Sequence, residues 1–270
     1  MTGCVRATAL ACGLVVLSEA VCLAQQPADL VTDRPDATES AVTVPPKAMQ
    51  MEFGARWIFD RSADGQLDIV EAPGTLVRVG VSQRVELRLG WGGWIETALE
   101  SSRERHRVDG FADPEVGMKW ALMQPGGMEL ALLAHVTLPA GDEIVGAPGI
   151  DPSVRLAAAH PIGDRASLGW NLGYEIGSFD GGGHTETVSL GRWVYSGTMG
   201  VDITPRWGGF VEIFGDLPAS DPGPAVHVFD GGVTYLVAPR VQLDLSGGVG
   251  LNDVAPDRFV GVGLSLRVPR

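Results

Sequence analysis

The sequence predicts an all-β chain: a single transmembrane antiparallel β-barrel of about twelve strands, with both termini on the periplasmic side. Three observations predict it. Apolar residues recur with period two almost everywhere after residue 48, the period of a strand and not of a helix. The alternating runs are long: many exceed the ~5–6 residues usual in soluble strands and sit near the ~9–11 that a tilted strand needs to cross a bilayer. The connections alternate between short and long, as they do in barrels with tight turns at one rim and longer loops at the other.

Residues 1–24 read as a secretory signal and stand outside the fold. Arg6 supplies the positive end. "ATALACGLVVL" is shorter than the ~20 apolar residues of a membrane-spanning helix, and "CLA" before "QQ" places small residues at a cleavage site after Ala24. Cys4, Cys12 and Cys22 all fall in this segment. The mature chain is therefore expected to hold no disulfide and no cysteine metal site, which fits an exported periplasmic or outer-membrane protein. No later stretch approaches ~18 consecutive apolar residues, so no transmembrane helix is expected.

Residues 25–48 form a separate polar segment. "TDRPDATES" and "VPPKAM" are too charged and too rich in proline for a helix or a strand. The barrel, residues 49–270, begins with "MQMEFGARWIF", which alternates over 49–59. Strands 74–81 and 84–94 turn through "SQ". Val77, Val79, Val81, Val85, Leu87, Leu89 and Trp91 share one parity there; Arg78, Gly80, Glu86, Arg88 and Gly90 share the other. Strands 114–123 and 128–138 flank "QPGG", 152–160 and 166–177 flank "PIGDR", and 193–204 and 207–215 flank "TPR". Strands 226–237 and 240–251 flank "APR", and 258–268 completes the set. The long connections are 60–73, 95–113, 139–151, 178–192, 216–225 and the shorter 252–257. Each boundary is good to about 2–4 residues.

Charge decides which face meets lipid. The parity opposite to the apolar one carries Glu52, Arg56, Arg78, Glu86, Arg88, Lys119, Glu129, His135, Arg155, Glu175, Asp202, Glu212, Asp230, Asp244 and Arg267. An arginine or lysine facing lipid at mid-depth costs ~2–4 kcal/mol, so this parity must face inward. Charges of both signs in a confined space pair across strands, as structural ion pairs or as a polar conduit whose field selects solutes. Glycines share the inward face and leave room there. Twelve strands lie between the ~8 whose side chains fill the interior and the ~16 that leave a water channel. Asp33, Arg34, Asp36 and Glu39 of the polar segment are suited to pair with such an interior. That segment is either a small plug at the periplasmic mouth, with Arg34 meeting interior acids, or a lead-in to the first strand.

The aromatic residues Trp57, Phe59, Trp91, Trp120, Trp170, Tyr174, Trp193, Tyr195, Trp207, Tyr235 and Phe259 lie mostly near strand ends, where interfacial girdles form. The alternative is a substrate-stacking track, for which inward Phe210 and Phe214 are candidates. A formal net charge of -13 argues against a nucleic-acid partner. His106, His135, His160, His184 and His227 show no metal-ligand spacing. Ser246 in "LSGG" lacks a hydrolase elbow, and "GVGLSL" opens no helix. No catalytic residue, cofactor or metal is expected.

Several runs, in order, resemble one outer-membrane barrel family, named for transport in the meta-pathway of phenol degradation. They are "TDRPDATES…VPPKAMQMEFG", "DPEVGMKW", "TLPAGDE", "LAAAHPIGDRASLGWNLGY", "FVEIFGDLP" and "FDGGVTYLVAPRVQLDLSGGVGLNDVAPDRFVGVGLSLR". The resemblance covers about residues 31–268. It implies a barrel in the cell outer membrane that admits small, often aromatic, solutes. The expected role is passive uptake of small molecules; the alternative is a structural or surface-interaction barrel. Expected partners are outer-membrane lipid and lipopolysaccharide, the outer-membrane assembly machinery, and the solute. Many outer-membrane barrels end on an aromatic residue read by that machinery. This chain ends "SLRVPR", which bears on the efficiency or route of insertion and not on the fold.

Overall fold

The computed structural model describes residues 30–62, 65–101, 104–123, 127–181, 187–220 and 223–268. The expected signal, residues 1–24, lies outside them. The fold is all β among the described residues. The strands are β1 (Met49–Ser62), β2 (Gly65–Gly80), β3 (Val85–Trp91), β4 (Trp94–Glu100), β5 (Arg105–Phe111), β6 (Pro114–Met123) and β7 (Glu129–Thr137). They continue with β8 (Asp151–Ile162), β9 (Ala166–Asp180), β10 (Thr187–Asp202), β11 (Trp207–Pro218), β12 (Val226–Ala238), β13 (Val241–Gly250) and β14 (Arg258–Val268). They make one 14-stranded sheet in which β1 pairs with both β14 and β2, so the sheet closes.

The barrel has twelve staves, as expected, because two staves are interrupted. The Thr75–Gly80 half of β2 pairs with β3, while Gln66–Ala72 pairs with β4. β3 pairs with β6, and β4 with β5. Hence β3 and β4 form one stave broken at Gly92 and Gly93, and β5 and β6 another broken at Ala112 and Asp113. The cause is local. Pro73, facing the break from β2, has no N–H to give a ladder. Gly93 sits at φ 83, a conformation that only glycine adopts without strain.

The strand bounds differ from the sequence reading on the long-hairpin side. The expected loops 60–73, 95–113 and 178–192 are largely paired strand, carried by β1–β2, β4–β5 and β9–β10. Beyond the lipid a strand needs its backbone ladder but no apolar face. The period-two signal therefore fades there while the pairing continues.

The burial pattern is that of a soluble protein turned inside out. Leu87 and Leu89 are 53% and 51% exposed, while the intervening and preceding Arg88 and Glu86 are 5% and 0% exposed. The same inversion holds on β13, where Leu243 and Leu245 are exposed while Gln242 and Asp244 are buried. An apolar outer wall with buried charge inside is the wall of a membrane barrel. Two aromatic belts bracket it. Trp207 stacks with Tyr235 and Trp120 is exposed near the short turns; Trp193 meets Tyr174 and Trp94 meets Phe111 near the long hairpins. Trp193 is in register with Leu217, near the far end of the strand that Trp207 opens. At about 3.3 Å per residue and a tilt of about 40°, the run from Trp207 to Leu217 rises ~25 Å, the height of a lipid-facing apolar band.

Candidate functional site: the occupied interior

The N-terminal segment enters at the short-turn rim. Leu30 and Val31 line a space of about 880 Å³ there, with Arg165, Arg206, Trp207 and Leu236. The segment rises into the barrel and returns to β1. Ser40 N–H donates to Asp33 Oδ1 at 2.9 Å, which closes residues 33–40 into a loop. On its way out the backbone runs against Gly80, where a Cβ would collide with the carbonyls of Val44 and Pro45. Lys47 N–H then donates to the Gly80 carbonyl, and Gly80 N–H to that of Ala48.

Contacts locate this loop. Asp33 meets Arg78 of β2, Arg88 of β3 and Lys119 of β6. Arg34 meets Asp244 of β13, at 3.2 Å. Ala37 N–H and the Thr38 hydroxyl donate to Glu212 of β11, and Thr38 also reaches Ser196 of β10. Glu39 meets Arg155 of β8, and its N–H donates to Asn171 of β9. A short loop that touches staves all round a closed barrel lies inside it. Apolar contacts help to seat it: Ala41 packs on Ala131, Leu133 and Ala157, all fully or nearly fully buried.

The interior wall is divided by charge. On one side Arg78, Arg88 and Lys119 surround Asp33, while Glu52 and Glu86 balance Arg78 at 3.1 and 2.9 Å. Arg88 spans two carboxylates, with Nη1 on Asp33 at 2.6 Å and Nη2 on Glu39 at 2.5 Å. Arg155 joins Glu39 to Glu175 at 3.3 and 3.2 Å. The other side is acidic: Glu212, Asp230 and Asp244, all buried. Burial alone would raise the Asp33 carboxyl, but Arg78, Lys119 and Arg88 outweigh it and hold Asp33 well below the usual carboxylate range. Glu39 is lowered against its burial, mainly by Arg88. Asp36 faces the acidic side, and burial, then the nearby Glu212, push its carboxyl well up.

Of the residues singled out from sequence, Glu52, Arg78, Glu86, Arg88, Lys119, Arg155 and Glu175 gather around Asp33 and Glu39. Glu212, Asp230 and Asp244 gather opposite them. Arg56 is not in either group; it pairs with Glu71 at 2.9 Å toward the long hairpins, with its guanidinium 5.9 Å from the Phe259 ring. Asp202 is exposed at the end of β10, and Glu129 half-buried at the start of β7, both at the short-turn rim. Phe259 corrects the girdle reading. It lines an interior space of about 330 Å³ with Asp33, Arg34, Phe214 and Asp230. Its parity, shared with Gly261 and Gly263, carried that signal. Sequence reasoning missed Gln50, Asn171 and Ser196, polar residues that hold the segment but carry no charge to mark them.

Comparison with known proteins agrees with the geometry. A family model described as "Putative MetA-pathway of phenol degradation" matches residues 32–268. No curated protein sequence matches the chain. Among solved structures, an outer membrane channel from Pseudomonas putida F1 superposes with a TM-score of 0.69 at 11% identity, over 84% of this chain and 98% of that one. The NanC porin gives 0.54 at 7% identity, over 82% and 100%. The translocator domain of the autotransporter NalP from Neisseria meningitidis gives 0.55 at 8% identity, over 82% and 88%. At such identities the likeness is one of fold, and the fold is that of outer-membrane barrels. With the family model spanning all but the first residues of the described chain, this protein belongs to the phenol-degradation MetA-pathway family.

Proposed function

We propose that the protein is a channel of the outer membrane for passive entry of small molecules, and that residues 30–48 are its plug. The observation that carries this reading is the loop 33–40, tied to β2, β3 and β6 on one side and to β10, β11 and β13 on the other. It separates a space of about 880 Å³ at the short-turn rim from one of about 330 Å³ toward the long hairpins. In this reading the interior is closed by the segment 30–48 and not by the staves, so release of that segment opens the path. The short-turn rim, where β1 begins and β14 ends, is the periplasmic one in this reading.

The charged residues facing Asp33, Arg34 and Glu39 then line the conduit. Inward Phe210, Phe214 and Phe259 offer ring faces to solutes, which accords with the family's association with phenol degradation. We read the interior as a path and not as a catalytic centre, since the charges around Asp33 and Glu39 are bound into ion pairs across staves. Lipopolysaccharide and the assembly machinery are the partners that such a barrel requires.

The test is deletion of residues 25–44, with conductance measured in planar bilayers. Conductance should rise well above that of the intact chain. Unchanged conductance would remove the plug from the reading. A barrel silent with and without the segment would be a structural one. Liposome swelling with solutes that differ in charge and aromaticity then identifies the class admitted.

A further inference from the structure

The plug's deepest contact has the form of a bound ligand. Asp33 Oδ2 accepts from Arg88 Nη1 at 2.6 Å and Lys119 Nζ at 2.9 Å, with Arg78 Nη1 at 3.2 Å; Lys119 also reaches Oδ1 at 3.0 Å. Both carboxylate oxygens are engaged, and Arg78 and Lys119 are 0% exposed. The wall around Asp33 provides Arg78, Arg88 and Lys119 against Glu52 and Glu86, the acids paired with them. One positive charge of this wall cluster is left over, and the plug meets it with Asp33, while Glu39 takes the other edge of Arg88. A plug that withdraws Asp33 uncovers a cation without its counter-charge, which favours the entry of another anion. An anion that takes these contacts competes with Asp33 for them.

Two further observations describe that anion. Polar atoms stand idle beside the cluster: Arg88 Nε, a donor, and His135 Nε2 have no hydrogen-bond partner, although Arg88 and His135 are 5% and 6% exposed. Gly117, in register between Arg88 and His135, has no side chain, and the His135 ring lies over it, which seats the imidazole beside Arg88. Next to the cations lies an apolar floor. Leu133 is the register partner of both Lys119 and Arg155, and with Ala131 and Ala157 it is covered by Ala41 of the plug. Withdrawing the plug uncovers cations and floor together.

We propose that Arg78, Arg88 and Lys119 form a recognition site for a small organic carboxylate with an apolar body, and that Asp33, with Ala41 beside it, is a tethered stand-in for that ligand. The solute carboxylate takes the place of Asp33 while its body takes the place of Ala41. No covalent step is involved; one carboxylate exchanges for another. This rests on the plug reading and names the solute that opens it.

The chain has no cysteine after Cys22, so a protein that begins at residue 25 and carries Ser40→Cys has a single thiol, on the loop that Asp33 closes. Its rate of maleimide labelling in detergent micelles reports plug release without any need for conduction. Benzoate, acetate, phosphate, chloride and the neutral benzyl alcohol are compared at equal ionic strength. Benzoate should speed labelling about tenfold at roughly ten times its Kd. Phosphate, chloride and benzyl alcohol should leave the rate unchanged. In the Lys119→Met background the effect of benzoate should vanish, and in Lys119→Arg it should persist; heat-shifted gel mobility verifies that each barrel is folded. Equal rates in benzoate and chloride overturn the proposal. Equal potency of acetate and benzoate overturns the apolar half of it. Full-rate labelling with no ligand instead sinks the plug reading on which it rests, and the two failures are thereby distinct.

Discussion

Arg34 holds the loop 33–40, the plug of the proposed reading, to the acidic wall by a contact that depends on two missing side chains. Gly54 on β1 and Gly263 on β14 are register partners, and the Arg34 guanidinium occupies the space where both Cβ atoms would lie. From that socket it donates to Asp244 Oδ1 and to the Val262 carbonyl, each at 3.2 Å. The Asp244 side chain is 0% exposed and that of Arg34 27%. A charge-assisted hydrogen bond of this kind is worth about 1.5–3 kcal/mol, and partial exposure puts this one at the lower end. Gly54→Val should therefore mimic Arg34→Met: plug seating weakens by about 1–2 kcal/mol, roughly a fivefold to thirtyfold gain in release, while the barrel stays folded. The two changes together should be no worse than either alone, since both break one contact. Labelling of the Ser40→Cys thiol measures this, and additive effects would show that the socket and the ion pair act separately.

The N-terminal segment as an element carries opposed titrations. Asp33 is held ionised by Arg78, Lys119 and Arg88 against its burial, so its folded pKa lies below its unfolded one. That contribution is present above the unfolded pKa of about 3.9 and is lost only as pH falls through the depressed value. Asp36 is the reverse case: burial and the facing carboxylates of Glu212 and, more weakly, Asp33 and Asp230 raise its folded pKa. Its contribution is complete below the unfolded pKa and is lost as pH rises through the raised value. Plug release should therefore increase with pH from mildly acid conditions upward, and Asp36→Asn should flatten that rise. Asp33→Asn should loosen the plug across the same range. Labelling rates or open-channel probability across pH give the profile; a rise that survives in Asp36→Asn assigns it elsewhere. The sequence announced this element by its prolines and charges, and Arg34, Asp33 and Glu39 were legible as pairing groups. Their partners were not. Parity states which face a residue takes, but not its height, and not which stave stands across the interior. The outer halves of β2, β4, β5 and β10 were illegible for a different reason, because outside the lipid no apolar stripe is required of a paired strand.

At the scale of the whole molecule, what the sequence made most legible is the wall. Lipid imposes one rule on every residue that touches it, so period-two alternation repeats on stave after stave, and Leu87, Leu89, Leu243 and Leu245 are all exposed. The interior obeys no such repeat, since each of its pairs is a separate solution to a separate neighbour. The wall's energetics are testable through depth. Leu245 is 50% exposed and lies one residue beyond Asp244, near the middle of its stave. Val268 is 42% exposed at the end of β14, at the rim. An arginine at a mid-depth lipid-facing position costs about 2–4 kcal/mol, and one near the interface about 0–1. Leu245→Arg should thus lower the unfolding free energy in lipid vesicles by several times more than Val268→Arg. In a soluble barrel, both arginines would point into water and neither would cost more than a few tenths of a kcal/mol. Denaturant titrations of the two variants in phospholipid vesicles, followed by tryptophan fluorescence, decide between these outcomes. Equal losses would mean that the apolar wall does not face hydrocarbon.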